Sequence, residues 1–388
     1  MFLLRTVLVV FILHSPFSIN NSVSAQSLSL QAKVSLLTMA PGEELYTSFG
    51  HTAFWIQDPA MGIDRVYNYG TFDFRTGNFY WKFIRGTLPY QLSAYPFQYA
   101  IGEAQADNRS LKEQVLNLSP EQKQRLYDLL ETNYLPENRQ YFYKFYYDNC
   151  ATRPRDILKA AVGNGFAWTP VAEIEGKSYR AWMNKYLDYQ PFARLGMNIA
   201  IGQPANEIAS FEGAMYLPDN LMAAVAKAKN VGQPLVSGTN QLFVAQPEVH
   251  GLTAGWLQVL LFALAGSVIA WLRYRHRQAP FWLDKVLFVA AGTVGLLLLF
   301  LWFGTDHGVP DWNASLLIYS PTHLAVAFLL RKPSHFRWLF WYCVIFSLLG
   351  ITGFVLTAPE SHTFLVDVVL IYRLIQLSLV YRKSTPVS

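Results

Sequence analysis

Tyr141-Phe142-Tyr143-Lys144-Phe145-Tyr146-Tyr147-Asp148-Asn149-Cys150, running on into Ala151-Thr152-Arg153-Pro154-Arg155-Asp156, decides how this chain is read. An aromatic run ends at a cysteine, and residues 151–162 follow with helical spacing until Gly163 stops them. Cys150 is therefore expected at a helix N-terminus. Unsatisfied N–H groups and the positive end of the helix dipole favour thiolate over thiol there, and Arg153 and Arg155 act in the same direction. Those N–H groups can also hold an oxyanion, with Asn149 supporting it or capping the helix. The plainer alternative is a cysteine that fills a core gap beside a capping asparagine.

A thiol nucleophile needs a base. His51 lies in Ser48-Phe49-Gly50-His51-Thr52-Ala53-Phe54-Trp55-Ile56, whose alternation reads as a strand with His51, Ala53 and Trp55 on one face. A histidine so placed can take the thiol proton and return it to a leaving group. Gly50 leaves room for a neighbouring backbone or a substrate. A third group that orients the imidazole is sought in the next strand-like segment, Arg65 to Phe74, with Asn68 first and Asp73 second. Both also suit turn positions beside Gly70, and His51 also reads as a structural histidine.

Outward from these motifs, the chain is 388 residues long, 52% hydrophobic and only 15% charged, too apolar for an ordinary soluble protein. From Leu252 onward, apolar stretches recur at about 254–272, 283–303, 314–330, 338–357 and 363–381, each near the roughly 20 residues a spanning helix needs. Arg273, Arg275, Arg277 and Lys285, then Arg331, Lys332 and Arg337, then Arg382 and Lys383 alternate with two connections, 304–313 and 358–363, that hold no Lys or Arg. This alternation predicts five helices, with the C-terminus in the cytoplasm. The same cations account for the formal charge of +5, so nothing points to nucleic acid.

Residues 1–25 read as a secretory signal, with Arg5, the apolar run Thr6 to Leu13 and small residues at Val23-Ser24-Ala25; an uncleaved anchor is the alternative. Residues 26–245 then form an exported mixed α and β domain, and 246–388 the membrane domain. Ser119-Pro120-Glu121 opens a helix running to about Tyr134, and Lys227 to His250 reads as a linker. Of two cysteines, Cys343 lies in an apolar stretch, so Cys150 is a lone thiol outside the cytoplasm.

Asp306 and His307, in the loop Thr305 to Asn313, are placed at the membrane surface to grip a phosphate or an amine. A metal site there lacks the ligand spacing. His323 and Asp367, inside apolar stretches, are expected to face other helices. Nucleotide, dinucleotide, serine-hydrolase and zincin motifs are missing from the exported domain, so no cofactor is expected.

Ser48-Phe49-Gly50-His51, Tyr67-Asn68-Tyr69-Gly70-Thr71-Phe72 and Asp148-Asn149-Cys150-Ala151-Thr152-Arg153-Pro154-Arg155-Asp156, with Gly202-Gln203-Pro204-Ala205, Met215-Tyr216-Leu217-Pro218 and Thr305-Asp306-His307, together resemble the bacterial lipoprotein N-acyltransferases that pair an exported thiol domain with a multi-span membrane domain. The resemblance implies an α+β permuted papain-like exported domain followed by an all-α five-helix transmembrane domain in the inner membrane. It further implies Cys150 as nucleophile, His51 as base, a membrane phospholipid as acyl donor and a diacylated lipoprotein as acceptor, with Arg153, Arg155, Asp306 and His307 near substrate. Where the family more often has a hydroxyl residue after the cysteine, this chain has Ala151, which leaves only its backbone N–H as an oxyanion donor. The residues alone also leave open a cell-envelope cysteine peptidase or amidase, a phospholipase, and a non-catalytic membrane scaffold.

Overall fold

The computed structural model describes residues 26–247, 282–330, 335–357 and 364–384, with 264, 266–267 and 271. The expected signal segment, nearly all of the first expected span and most of the basic connections lie outside the described residues.

Seven strands, β1 (Lys33–Met39), β2 (His51–Asp58), β3 (Ile63–Thr71), β4 (Pro89–Tyr95), β5 (Leu111–Leu116), β6 (Gln140–Phe142) and, further on, Val236–Phe243, form one sheet. Its order is Val236–Phe243, β5, β1, β2, β3, β4, β6, with every neighbour antiparallel. Helices α1 (Phe79–Ile84), α2 (Phe97–Ala106), α3 (Pro120–Tyr134) and α4 (Thr152–Val162) are interleaved with these strands. Both sheet faces are covered. Ala53, Trp55 and Val66 pack with Ala100 and Ala104 of α2, while Phe54, Ile56, Tyr67 and Tyr69 join the larger core with Leu126, Leu130 and Leu158 of α3 and α4. This is why β2 is almost wholly buried and carries the continuous apolar run Ala53-Phe54-Trp55-Ile56 instead of alternating apolar and polar residues. Helix α3 starts and ends where its sequence signals lie: Ser119 and Gln122 form a reciprocal capping box, with Pro120 in the first turn.

The expected linker at 227–250 is a correction. Val236–Phe243 pairs with β5 as the sheet's edge strand, and Lys229–Asn230 and Gln233–Pro234 make a small sheet with Phe166–Ala167. The edge strand is largely solvent-exposed and interrupted by register shifts, so it carries no apolar alternation for sequence reading to detect.

In the membrane half, Asp284–Phe303 and Phe336–Leu356 are long and apolar enough to cross a bilayer. A further 21-residue helix, Phe364–Ser384, holds Asp367 and Arg373, and Arg373 pairs in bidentate fashion with buried Asp284 at 2.7 and 2.8 Å. The third expected span is built in two pieces: residues 314–330 form a 3-10 turn, Ala314–Leu317, and an eight-residue helix, Thr322–Leu329. Pro321 interrupts the ladder, and buried His323 compensates: its Nε2–H donates to the Ile318 carbonyl at 3.0 Å, and Nδ1 accepts from Tyr342 Oη at 2.7 Å. Asp367 accepts from Tyr319 Oη at 2.6 Å, so His323 and Asp367 both face protein.

The two halves dock through backbone. Gly202 N–H donates to the Val309 carbonyl at 2.8 Å, and Asn313 Nδ2 donates to the carbonyls of Ile199 and Ala200. A Cβ on Gly202 would lie 1.8 Å from the Asp311 carbonyl oxygen, so only glycine fits. Gly202→Ala is expected to loosen this junction, seen as faster protease cleavage between residues 200 and 313 in detergent. An unchanged cleavage rate would mean that the contact tolerates displacement.

Candidate active site

Cys150 lies in the turn that leads through Ala151 into α4, and Asn149 shapes that turn. Its Oδ1 accepts the N–H groups of Ala151 and Thr152 at 2.8 and 2.9 Å, while its Nδ2 donates to the carbonyls of Phe145 and Tyr216 at 2.8 Å each. Every polar atom of this buried amide is thus engaged by backbone, and the Ala151 N–H is occupied. Asn149 thus holds the turn that leads into α4, and neither its own amide nor the Ala151 N–H is left without a partner in this arrangement.

His51 opens β2. Phe49, two residues earlier, packs edge-on against Phe145 at 4.7 Å, which ties the strand start to the cysteine turn. Ala53 pairs with Asn68 across β2 and β3, so Asn68 shares the face of Ala53 and His51. Asn68 Oδ1 lies 2.5 Å from His51 Nε2, and its Nδ2 donates to Tyr95 Oη at 2.9 Å. A carbonyl oxygen only accepts, so Nε2 carries the proton and Nδ1 is left for the thiol. The second expectation, Asp73, is exposed and chelates Arg75 instead, well removed in bonding from His51.

Burial opposes both charges at this site, yet the two groups overcome it together. Burial pushes the Cys150 thiol up; the His51 charge, hydrogen bonds from His51 and Tyr143, and the Thr52 backbone N–H outweigh this and bring it below 9.0. Burial likewise pushes the His51 imidazolium down, but the Cys150 charge, hydrogen bonds to Cys150 and Asn68, and Glu103 on α2 raise it above 6.5. Each group thus favours the charged form of the other, the imidazolium supporting the thiolate and the thiolate the imidazolium.

Two tyrosines that the sequence reading passed over surround the sulfur. Tyr143 Oη lies 4.0 Å from Cys150 Sγ. The Tyr141 hydroxyl is buried without a hydrogen-bond partner. Both phenols are held well above their ordinary pKa, by burial first and by the Cys150 charge next, so they remain O–H donors. They converge on Gly70, where a Cβ would meet the Tyr143 ring at 3.6 Å, Cys150 Cβ at 3.7 Å and Tyr141 Oη at 4.0 Å; with φ +97, this position suits glycine on both counts. No polar and apolar alternation marks them in sequence, because Tyr141 is buried between exposed Gln140 and an equally aromatic, exposed Phe142.

Of the four residues expected near substrate, Arg153, Arg155 and His307 have side chains in contact with protein, whereas Asp306 is exposed and held through its backbone. Arg153 makes a bidentate pair with Asp148 at 2.6 and 2.8 Å and stacks on the Tyr141 ring at 3.6 Å. Arg155 is held by Asp156 and by the Glu212 carbonyl. The Asp306 N–H donates to the Arg85 carbonyl at 2.8 Å, its own carbonyl accepts from Lys144, and His307 Nε2 lies 2.9 Å from the Ile84 carbonyl. That loop serves as a docking piece against α1. Among the described residues, no group of three or more His, Cys, Asp or Glu is clustered to hold a metal ion.

Residues 20–184 match the Lnb N-terminal periplasmic domain, and residues 251–384 match the Lnb transmembrane domain. The chain belongs to the Lnb family. The Lnb periplasmic domain therefore holds both Cys150 and His51, and the Lnb transmembrane domain anchors it as a multi-helix inner-membrane protein. No curated protein and no solved structure matches the chain.

Proposed function

We propose that this Lnb family member is a lipoprotein N-acyltransferase that moves an acyl chain from a phospholipid to the N-terminal α-amine of a diacylglyceryl-cysteine lipoprotein, through a thioester on Cys150. The observation that carries the reading is a buried Cys150–His51 pair, each raising the other's tendency to ionise and the histidine held by Asn68, in a periplasmic domain docked on membrane helices. Donor and acceptor are both anchored in the bilayer, which gives a site fixed at its surface a reason to exist. A nucleophile at a helix start packed against an antiparallel sheet, with its histidine earlier in the chain, suits a permuted papain-like fold.

In the first half reaction the Cys150 thiolate attacks the ester carbonyl carbon, forming the S–C bond. As the C–O bond breaks, the His51 imidazolium protonates the departing alkoxide and lysophospholipid leaves. In the second, the acceptor amine attacks the thioester, neutral His51 takes the amine proton, the amide forms, and the thiolate–imidazolium pair is restored. With Asn149 engaged, the hydroxyls of Tyr141 and Tyr143 are the donors for the tetrahedral oxyanion.

Incubating the purified protein with phospholipid and a synthetic diacylated lipopeptide tests this. Lysophospholipid and N-acylated peptide are expected in a one-to-one ratio. Lysophospholipid released without peptide acylation would instead mean a phospholipase, and a cleaved peptide with intact lipid would mean a peptidase. Tyr141→Phe, which removes one oxygen from a packed ring, is expected to slow single-turnover thioester formation by about 10²-fold. A wild-type rate would remove Tyr141 from the oxyanion site.

A further inference from the structure

The thiol chemistry makes no use of the most apolar exposed feature of the periplasmic domain. Helix α1, Phe79-Tyr80-Trp81-Lys82-Phe83-Ile84, leaves Tyr80 76% exposed and also exposes Trp81, Phe83 and Ile84; Phe74, just before it, is 70% exposed. Buried residues are absent from this helix, so its apolar surface does not serve the domain core. A contiguous apolar patch of this kind, facing water, invites aggregation unless something covers it.

Its position says what covers it. Trp81 packs against Phe300 with ring centroids 5.8 Å apart, and Phe300 lies near the outer end of the span Asp284–Phe303. Arg85 Nε donates to the Gly304 carbonyl at 3.2 Å, just past that end. Phe300 lies three residues before Phe303, about 5 Å along the helix from the end of the span, so Trp81 packs near that end. Trp302 and Trp312 pair at 5.4 Å at the same level, an aromatic girdle of the kind found at the membrane interface. Lys82, Arg85 and Arg75 lie on or beside α1, where anionic headgroups would meet them.

From this patch an aromatic series leads inward. Phe74 contacts Phe72 at 5.0 Å, Phe72 contacts Tyr90 at 5.4 Å, and Tyr90 contacts Tyr143 at 4.8 Å. The Tyr143 hydroxyl then lies 4.0 Å from the sulfur of Cys150, which is itself only 6% exposed. A thiol so covered needs a defined approach, and this series is continuous from the membrane-level patch to the nucleophile.

We propose that residues 74–84 are inserted into the outer leaflet of the bilayer, and that the series Phe74, Phe72, Tyr90, Tyr143 is the route by which a phospholipid acyl chain reaches Cys150. Insertion stands on the geometry of α1 alone; the route rests on the acyl-transfer reading above.

The test uses the full chain carrying Cys150→Ser, reconstituted in vesicles of phosphatidylethanolamine and phosphatidylglycerol. An environment-sensitive fluorophore is attached through Tyr80→Cys or Phe83→Cys, with Val231→Cys, at an exposed turn, as reference. The α1 labels are expected to be quenched by lipids spin-labelled high on the acyl chain, and shielded several-fold from aqueous iodide relative to the reference. Iodide access equal to the reference, with no lipid quenching, overturns insertion. In the same vesicles, a phospholipid with a photoreactive group on its acyl chain is expected to crosslink to peptides containing residues 72–74 and 90. Crosslinks confined to the membrane helices overturn the route. If α1 is inserted but wild-type protein forms no acyl adduct, the acyl-transfer reading fails while insertion survives.

Discussion

Cys150→Ser is expected to abolish the covalent acyl adduct and to lower turnover by about 10³-fold or more. The substitution is nearly isosteric, so the turn held by Asn149 and the cap on α4 stay in place, and the loss is chemical. A serine hydroxyl has far less tendency than a thiol to ionise beside an imidazole. The pairing is also reciprocal: the Cys150 charge raises His51 against a burial effect that lowers it, so with serine present the histidine reverts toward its neutral form. Intact-protein mass spectrometry after incubation with phospholipid alone reads the result. The wild type should gain the mass of one acyl chain, removable by hydroxylamine, and the variant should gain nothing. An adduct of equal amount on Cys150→Ser would place the nucleophile elsewhere. Wild-type lipid turnover in a variant that lacks the adduct would rule out the thioester.

How far this arrangement was legible beforehand depended on how local its determinants were. The cap at Ser119, the stop at Gly163 and the helix between Thr152 and Val162 are encoded within a turn of where they act, and each lies where the sequence places it. The face shared by His51, Ala53 and Trp55 follows from strand period alone, but the meeting of His51 and Asn68 depends on the register of β2 against β3, a non-local property. Asp73, five residues further on, is the second choice from sequence, and the sheet ends at Thr71 and leaves it on the surface. The engagement of the Ala151 N–H was hidden for a related reason. A helix N-terminus has free N–H groups only if no side chain caps them, and Asn149 satisfies two. In the membrane half, charge alternation and hydropathy located the apolar segments but could not register the break at Pro321, whose cost is met by His323 and Tyr342 from outside the ladder.

His51→Ala is expected to separate the two functions assigned to the histidine, through the pH dependence of thioester formation. In the wild type the active pair requires a deprotonated Cys150, which appears as pH rises through a value depressed below 9.0, and a protonated His51, which is lost as pH rises through a value raised above 6.5. Single-turnover rate should therefore rise, level off and fall, with both limbs belonging to the coupled pair. Removing the imidazole deletes the largest influence favouring the thiolate and leaves burial, which pushes the thiol upward. The variant should then show a single rising limb displaced to higher pH, with no fall at the alkaline end. At pH 7 its rate should be down by about 10³-fold, because general acid–base help of 10²–10⁴ is lost along with the thiolate fraction. Alkylation by iodoacetamide isolates ionisation from proton transfer: it needs the thiolate but no general acid, so its pH midpoint should move up in His51→Ala while the acyl-transfer rate falls further than alkylation does. Asn68→Ala keeps the imidazole but loses the bond to Nε2, so its alkaline limb should move down without a change in the overall shape of the profile. An alkylation midpoint in His51→Ala identical to that of the wild type would mean that the thiolate is stabilised by something other than His51, and the base would have to be sought again.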